Sequence, residues 1–338
     1  MIILSTVVIA GVALAAVLVQ RMMGGIYVPP SMQGKVVLIT GGTAGLGCES
    51  AKRLAAAGAE HVIVTARTDE KGRKAVQEVK EYMEEQRRSS GTGAEATVSY
   101  RVLQLDDLES TKAVAQWVDD LPTIDVLMLN AGIMALPSLE STAPLGIERQ
   151  MHTNHLGHFI VTALLRPKLA SDARVIVVSS EAHKIAQALG GGLDLEYAWK
   201  PSASSYGGWK SYGMSKLANI YFAAQLDQKL GDSMTAVSMH PGEVNTNIAQ
   251  NVISGVPILQ QLLDSYIFPI AQKLGVLQSV AQGANTQVYL ASVSGDQLVG
   301  GAYYKDQKVT ELAAFATDTA VSERLWKESE EISGIAWE

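Results

Sequence analysis

Cysteine is all but missing: Cys48 is the single one in 338 residues. That excludes an internal disulfide framework and any cysteine-rich zinc module. A basic excess is also missing. Lys and Arg number 27 against 34 Asp and Glu, for a net charge of −7, which argues against a nucleic-acid binder. No internal repeat or low-complexity tract is visible, so solenoids and propellers drop out. There is no N-x-S/T sequon; with the scarcity of cysteine, this agrees with a reducing compartment. What remains is 47% hydrophobic and 18% charged residues, a globular composition at a length that buries a substantial core.

Charge is absent from residues 2–19, which consist of Ile, Leu, Val, Ala, one Gly, Ser and Thr and are followed by Gln20 and Arg21. The run comes close to the ~20 residues that cross a bilayer as a helix. A secretory signal peptide is the rival reading, but no Lys or Arg precedes the run. A buried core helix is another, weakened because the run is apolar on every face. Residues 1–21 are therefore predicted to be an N-terminal transmembrane helix. Arg21 and Lys35 on its C-terminal side place the remaining chain in the cytosol. Residues 22–33, with Pro29-Pro30, are predicted to be a linker, and residues 34–338 one domain.

That domain alternates short β-branched runs with helical spacing. Strands are predicted at 35–40 (KVVLIT), 61–66 (HVIVTA), 98–105, 124–130, 174–179 and 235–239, and helices over 48–57 and 70–88. Residues 89–94 (SSGTGA) read as a surface loop. Continuous apolar strands separated by helices indicate an α/β domain with a parallel sheet covered on both faces, of the Rossmann-type doubly wound kind.

The first strand leads into Thr40-Gly41-Gly42-Thr43-Ala44-Gly45-Leu46-Gly47 and then a helix. Glycines there let the backbone turn tightly and approach a pyrophosphate, whose charge sits at the helix N-terminus. Gly41, Thr43, Gly45, Leu46 and Gly47 are thus candidate dinucleotide contacts, with a bare tight turn as the alternative. Where an NAD site often has an acid at the end of the second strand, this chain has Arg67. An Arg can pair with a 2′-phosphate, so NADP(H) is favoured over NAD(H). A solvated Arg opening a charged helix is the competing account.

The chain resembles the short-chain dehydrogenases/reductases, particularly their membrane-anchored retinol-dehydrogenase-like group. The motifs are TGGTAGLG at 40–47, NAGIM at 130–134, TNHLGHF at 153–159, VVSS at 177–180, YGMSKLAN at 212–219 and HPGEVNT at 240–246. Six motifs in order are far more specific than any one. The resemblance implies hydride transfer between a nicotinamide cofactor and an alcohol or carbonyl, location at the endoplasmic reticulum or a lipid droplet, and homodimerisation.

Chemistry and resemblance meet in Tyr212 and Lys216. A hydride-transfer enzyme must also move a proton at the substrate oxygen. A phenol with its ordinary pKa near ~10 is a poor base, and a Lys four residues on along a helix is expected to lower it. The resemblance assigns Tyr212 as acid/base and gives Lys216 the nicotinamide ribose as well. Tyr206 and Lys210 repeat the spacing, but Gly207 and Gly208 disfavour a helix there, whereas 214–226 is an excellent helical stretch. Tyr206 is read as lining the substrate mouth instead. Ser180 ends the fifth strand, where a hydroxyl can bind a substrate carbonyl. Ser179 is the alternative on the opposite pleat face, and the family pattern selects Ser180. Asn154 resembles the asparagine that supports the active-site lysine through water. Asn130, with Ala131 and Gly132, follows the fourth strand on the cofactor side.

The resemblance further implies that Asp106 or Asp107 contacts the adenine amino group; Asp106 is chosen as directly following the third strand. Pro241 and Gly242 would shape the turn that presents Val244 and Thr246 to the nicotinamide carboxamide. His152, His155, His158 and His183 lack a convergent ligand pattern, so no metal is expected. Cys48 is read as a packing residue, although a helix N-terminus can lower a thiol pKa. Substrate clues are Leu189, Leu193, Leu195, Tyr197, Trp199 and Trp209 in 183–210, read as a long loop, and the apolar segment 251–277, read as a lid, a membrane contact or ordinary packing. Together with the anchor they point to a lipophilic alcohol or carbonyl of retinoid, steroid or fatty-aldehyde type. A C=C reductase akin to protochlorophyllide reductase and a catalytically silent scaffold are the competing functions.

Overall fold

The computed structural model describes residues 25–90, 95–242 and 278–337. The predicted anchor at 1–21, the segment 251–277, and Val244 and Thr246 lie outside the described residues. Among those described, no helix is long and apolar enough to cross a membrane.

Strands β1 (Val36–Ile39), β2 (His61–Ala66), β3 (Thr97–Val102) and β4 (Ile124–Leu129) alternate with helices α1 (Gly45–Ala56), α2 (Asp69–Ser90) and α3 (Leu108–Lys112). A small hairpin of β5 (Ser141–Thr142) and β6 (Ile147–Glu148) precedes α4 (Gly157–Leu165). Then come β7 (Leu169–Val178), α5 (His183–Gly190), α6 (Leu195–Trp199), α7 (Gly208–Leu230) and β8 (Thr235–His240). The chain closes with α8 (Val280–Gly283), α9 (Asn285–Ser292), β9 (Tyr303–Lys305), β10 (Lys308–Val309) and α10 (Thr319–Ser333).

The main sheet runs β10-β9-β8-β7-β4-β1-β2-β3 and is parallel except for the last hairpin. Side chains alternate across it. Val36 and Leu38 join one core with Phe159, Met214 and Leu325; Val37 and Ile39 join the other with Leu54, Val79 and Val288. Both faces are thus covered, as the uninterrupted apolar strands require. The strand order reverses between β1 and β4, and the crevice at their carboxyl ends is where such sheets bind ligands.

Four expectations are corrected. The third strand stops at Val102, so Asp106 lies in the following turn rather than at the strand end. Ser89 and Ser90 continue α2 instead of opening a loop, because no helix breaker stands before them. Residues 183–210 form α5, α6 and the start of α7 rather than a long loop. Leu193, Leu195, Tyr197 and Trp199 are buried in the core there. Finally, α7 begins at Gly208, six residues ahead of the expected start.

Residues of the expected linker lie against the domain. The Tyr27 amide donates to Asn285 Oδ1 at 2.9 Å, and Asn285 Nδ2 donates to the Gly25 carbonyl at 2.9 Å. Arg53 of α1, only 4% exposed, donates to the carbonyls of Tyr27 and of Ala281 and to Asn285 Oδ1. A buried guanidinium is thus satisfied by neutral oxygens alone among the described residues.

Candidate active site

The turn after β1 is shaped for close approach. Gly41 has φ +66°, and a Cβ on it would come within 2.9 Å of the Ala131 Cβ. Its amide donates to Thr65 Oγ1 at 3.1 Å. Thr43 is half-buried, Gly45 and Leu46 open α1, and Gly47 is buried in the first turn. At the N-cap stands Ala44, which supplies no side-chain cap, and no acid occupies the first turn. A helix start with uncapped amides and no repelling carboxylate suits an anion.

Thr40 ties this turn to the end of β4. Its hydroxyl accepts from the amides of Asn130 at 2.9 Å and Ala131 at 3.1 Å. It meets His158 Nε2 at 2.8 Å, while His158 Nδ1 lies 2.9 Å from the Asn154 carbonyl. A carbonyl only accepts, so Nδ1 carries the proton and Nε2 accepts from Thr40. Burial holds His158 neutral, with its pKa pushed down to about 4. Asn130 Nδ2 donates to the Thr40 carbonyl at 2.9 Å. Gln287 of α9 completes the underside, donating to the Leu46 carbonyl at 3.0 Å and Ser50 Oγ at 2.6 Å. Neither the Thr40–His158 link nor Gln287 was foreseen. Thr40 opens a recognisable motif, but nothing in the sequence pairs Gln287 with it.

Asn154 sits in a π-helical turn, His152–Leu156, between the helical turn Arg149–Met151 and α4. Such turns are rare and concentrate at functional sites. Its side chain brackets Ile133: Oδ1 accepts from the Ile133 amide at 2.8 Å and Nδ2 donates to the Ile133 carbonyl at 2.9 Å. Nδ2 also reaches Ser215 Oγ at 2.9 Å. A Cβ on Gly132 would lie 3.1 Å from Asn154 Oδ1 and 3.4 Å from Lys216 Nζ. Only glycine keeps that space beside the ammonium clear.

Ser179 and Ser180 face opposite ways. Ser179 is buried and donates to the Lys216 carbonyl at 2.6 Å. Ser180 is half-buried, accepts from the Ala182 amide at 3.1 Å, and lies near enough to the Tyr212 phenol to bear on its pKa. Tyr212 is 8% exposed. Burial pushes its pKa up to about 12, opposed by Ser180. The expected lowering by Lys216 is absent. Lys216 Nζ lies 5.8 Å from the phenol ring centre and donates to the Val178 carbonyl at 2.9 Å. Burial brings the Lys216 pKa down to about 8.

Around this centre the other candidates separate. Tyr206 lies outside α7; its hydroxyl donates to the Leu136 carbonyl at 3.1 Å, and the Lys210 ammonium sits 3.7 Å from the Tyr197 ring centre. The second Tyr–Lys pair is thus pulled apart. Asp107 caps α3, accepting from the amides of Glu109 and Ser110, whereas Asp106 Oδ2 accepts from Arg149 Nε at 2.8 Å. Arg67 is exposed at the end of β2 and pairs with no carboxylate among the described residues. Pro241 and Gly242 end the described stretch after β8. Burial raises the Cys48 thiol to about 11, so the helix start does not activate it. His152 meets Thr142 at 2.7 Å and His155 meets Ser329 at 2.9 Å, each on a different side of the helix.

Ser180, Tyr212 and Lys216 therefore gather at the carboxyl edge of the sheet, beside the glycine turn and Asn154. Residues 35–191 match the short chain dehydrogenase family model. Human retinol dehydrogenase 14 is 35% identical over 91% of this chain and 88% of its own. The chain belongs to the short-chain dehydrogenases/reductases, in their retinol-dehydrogenase-like group. Human retinol dehydrogenase 12 is 32% identical over 91% of this chain and 89% of its own. A solved structure of an uncharacterized protein from Mycobacterium Paratuberculosis superposes with a TM-score of 0.66 at 31% identity, covering 92% of this chain and 97% of that one. Family membership makes this chain an oxidoreductase.

Proposed function

We propose that this protein is an NADP(H)-dependent oxidoreductase that interconverts a lipophilic alcohol and its aldehyde or ketone. The observation that carries the reading is the buried Tyr212 phenol, beside Ser180 and one helical turn from Lys216. The retinol dehydrogenase relatives support the substrate class.

The residues present fit a dinucleotide: a helix start with no capping side chain or first-turn acid, and a gap at Gly132 that a Cβ would close. Gly41, Thr43, Gly45, Leu46 and Gly47 would hold the pyrophosphate, Asn130, Ala131, Gly132, Tyr212 and Lys216 the nicotinamide half, and Arg67 a 2′-phosphate. Pro241, Gly242, Val244 and Thr246 would complete the carboxamide side. Asp106 is the proposed adenine contact; one oxygen of Asp107 accepts from the α3 amides and one of Asp106 from Arg149. When bound, the nicotinamide supplies or accepts the hydride.

Tyr212 then moves the proton. With its pKa raised to about 12, the phenol is protonated at neutral pH and ready to donate to a substrate oxygen as charge develops there. Ser180 holds that oxygen. Lys216 would hold the nicotinamide ribose, and Asn154 fixes the Ile133 backbone next to Gly132. The reading includes anchoring of residues 1–21 in the endoplasmic reticulum or lipid-droplet membrane, with the domain facing the cytosol as a homodimer. Its support is the uncharged run at 2–19 and the Arg that follows.

The test is turnover by the full-length protein in detergent, with NADPH or NADH, against all-trans-retinal, long-chain aldehydes and ketosteroids. Turnover should fall by about 10²–10⁴-fold in Tyr212→Phe, and Arg67→Ala should weaken NADPH binding but not NADH binding. A folded protein that binds neither cofactor would overturn the reading. Tight NADPH binding with no carbonyl turned over would move it to C=C reduction or scaffolding.

A further inference from the structure

Trp209 is out of place for a tryptophan. Trp199 and Trp326 are each 5% exposed, and Trp117 and Trp337 pack partly against the same core. Trp209 is 45% exposed. Its indole N–H has no hydrogen-bond partner among the described residues. Leaving a large apolar ring in water forgoes burial that the other four obtain.

The backbone that carries the ring is nonetheless held in place. On one side the Tyr206 hydroxyl donates to the Leu136 carbonyl at 3.1 Å, and Gln150 Nε2 donates to the Gly208 carbonyl at 3.2 Å. Gly208 is wedged so closely that a Cβ would lie 2.2 Å from the Leu136 oxygen. On the other side Lys210 lies over the Tyr197 ring, and the Tyr197 hydroxyl is 3.2 Å from Ser211 Oγ. The backbone on both flanks of Trp209 is therefore pinned, and its ring is presented edge-to-face to Tyr212, with centroids 6.0 Å apart and planes at 79°.

A carbonyl that hydrogen-bonds Tyr212 and Ser180 must bring its own substituent past this neighbour. We infer that Trp209 is a specificity-determining wall, receiving a planar conjugated group next to the reacting carbonyl and favouring enals, polyenals and aryl carbonyls over saturated ones of equal length. The inference rests on the oxidoreductase reading of the site. Flat π faces against an indole gain on the order of 0.5–1.5 kcal/mol beyond area burial, a factor of about 2–12.

The experiment uses full-length protein in detergent with saturating NADPH, and compares (2E,4E)-decadienal with decanal in the wild type, Trp209→Phe and Trp209→Ala. Trp209→Ala should raise KM for the dienal about 5- to 10-fold more than for decanal. Trp209→Phe should retain most of the preference, and NADPH affinity should be unchanged in both. Tryptophan fluorescence of the NADP⁺-loaded protein is read alongside, because dienal binding should quench a component that Trp209→Phe lacks. An equal KM change for both aldehydes, or quenching identical in wild type and Trp209→Phe, would overturn the wall. Trp209-dependent quenching without turnover would place the dienal against Trp209 and overturn the alcohol–carbonyl reading of the site, and with it the wall's role in specificity.

Discussion

The Ser179 hydroxyl donates to the backbone carbonyl of Lys216 at 2.6 Å. This bond fastens β7 to α7 on the buried side and leaves the next residue, Ser180, turned toward Tyr212. Replacing each by Ala should separate structure from chemistry. Ser179→Ala should cost about 1–2 kcal/mol of stability, with kcat within a few-fold of wild type. Ser180→Ala should leave the melting temperature nearly unchanged and lower kcat about 10²-fold or more. Calorimetry and steady-state kinetics on the two variants check this, and the reverse pattern would exchange the roles.

The helix around Asn154 should make the fold acid-sensitive. Burial pushes His152 down to about 4, His155 to about 3 and His158 to about 4, from an ordinary 6.5. The unfolded chain therefore binds more protons than the folded one between these values and 6.5. Stability is fully present above 6.5 and falls as pH drops toward 4, by about 1.4 kcal/mol per pH unit for each histidine. Denaturant midpoints measured from pH 7 to pH 4 should fall steeply. His155→Phe, set among Trp199 and Phe222, should reduce that slope. A slope indifferent to pH would contradict the neutral histidines.

The strap over Arg53 gives a third expectation. A chain that begins at Pro30 lacks the Tyr27 carbonyl that Arg53 uses, and removes Gly25 and Tyr27 from Asn285. A buried cation short of an acceptor costs about 2 kcal/mol, so this chain should melt a few degrees below one that begins at Gly25. Scanning calorimetry on the two decides it. Equal melting temperatures would mean that the strap contributes nothing.

How far the sequence could be read follows from the reach of each interaction. Residues 61–66 and 124–129 form strands almost as the apolar runs predict, because a parallel strand buried on both faces has little choice of side chain. Strands β9 and β10 escaped notice: they are three and two residues long, each carries a lysine, and the pairing of β9 with β8 and of β10 with β9 is what makes them strands. Tyr212, Lys216 and the glycine turn stood out because their spacing is local, and Ser180 because the family pattern selects it over Ser179. The opposite fates of Trp199 and Trp209 did not, since both are aromatic residues in one apolar stretch. Trp199 is buried by packing and by Glu328, which lies far along the chain and takes its indole N–H at 2.7 Å. The direction of the Tyr212 shift was also hidden, because it depends on depth of burial and on where the Lys216 ammonium points.

The π-helical turn at His152–Leu156 bears on how this protein tolerates changes of length. A wider turn accommodates one residue more than a regular α-helix would. Deleting a single residue there would leave a good helix of unaltered composition. The flanking residues would keep their faces, because only the extra residue is lost, but Asn154, which the wide turn itself presents, would lose its bracket on Ile133. Homologous chains, and libraries of variants, should therefore accept many substitutions in this stretch before they accept one deletion.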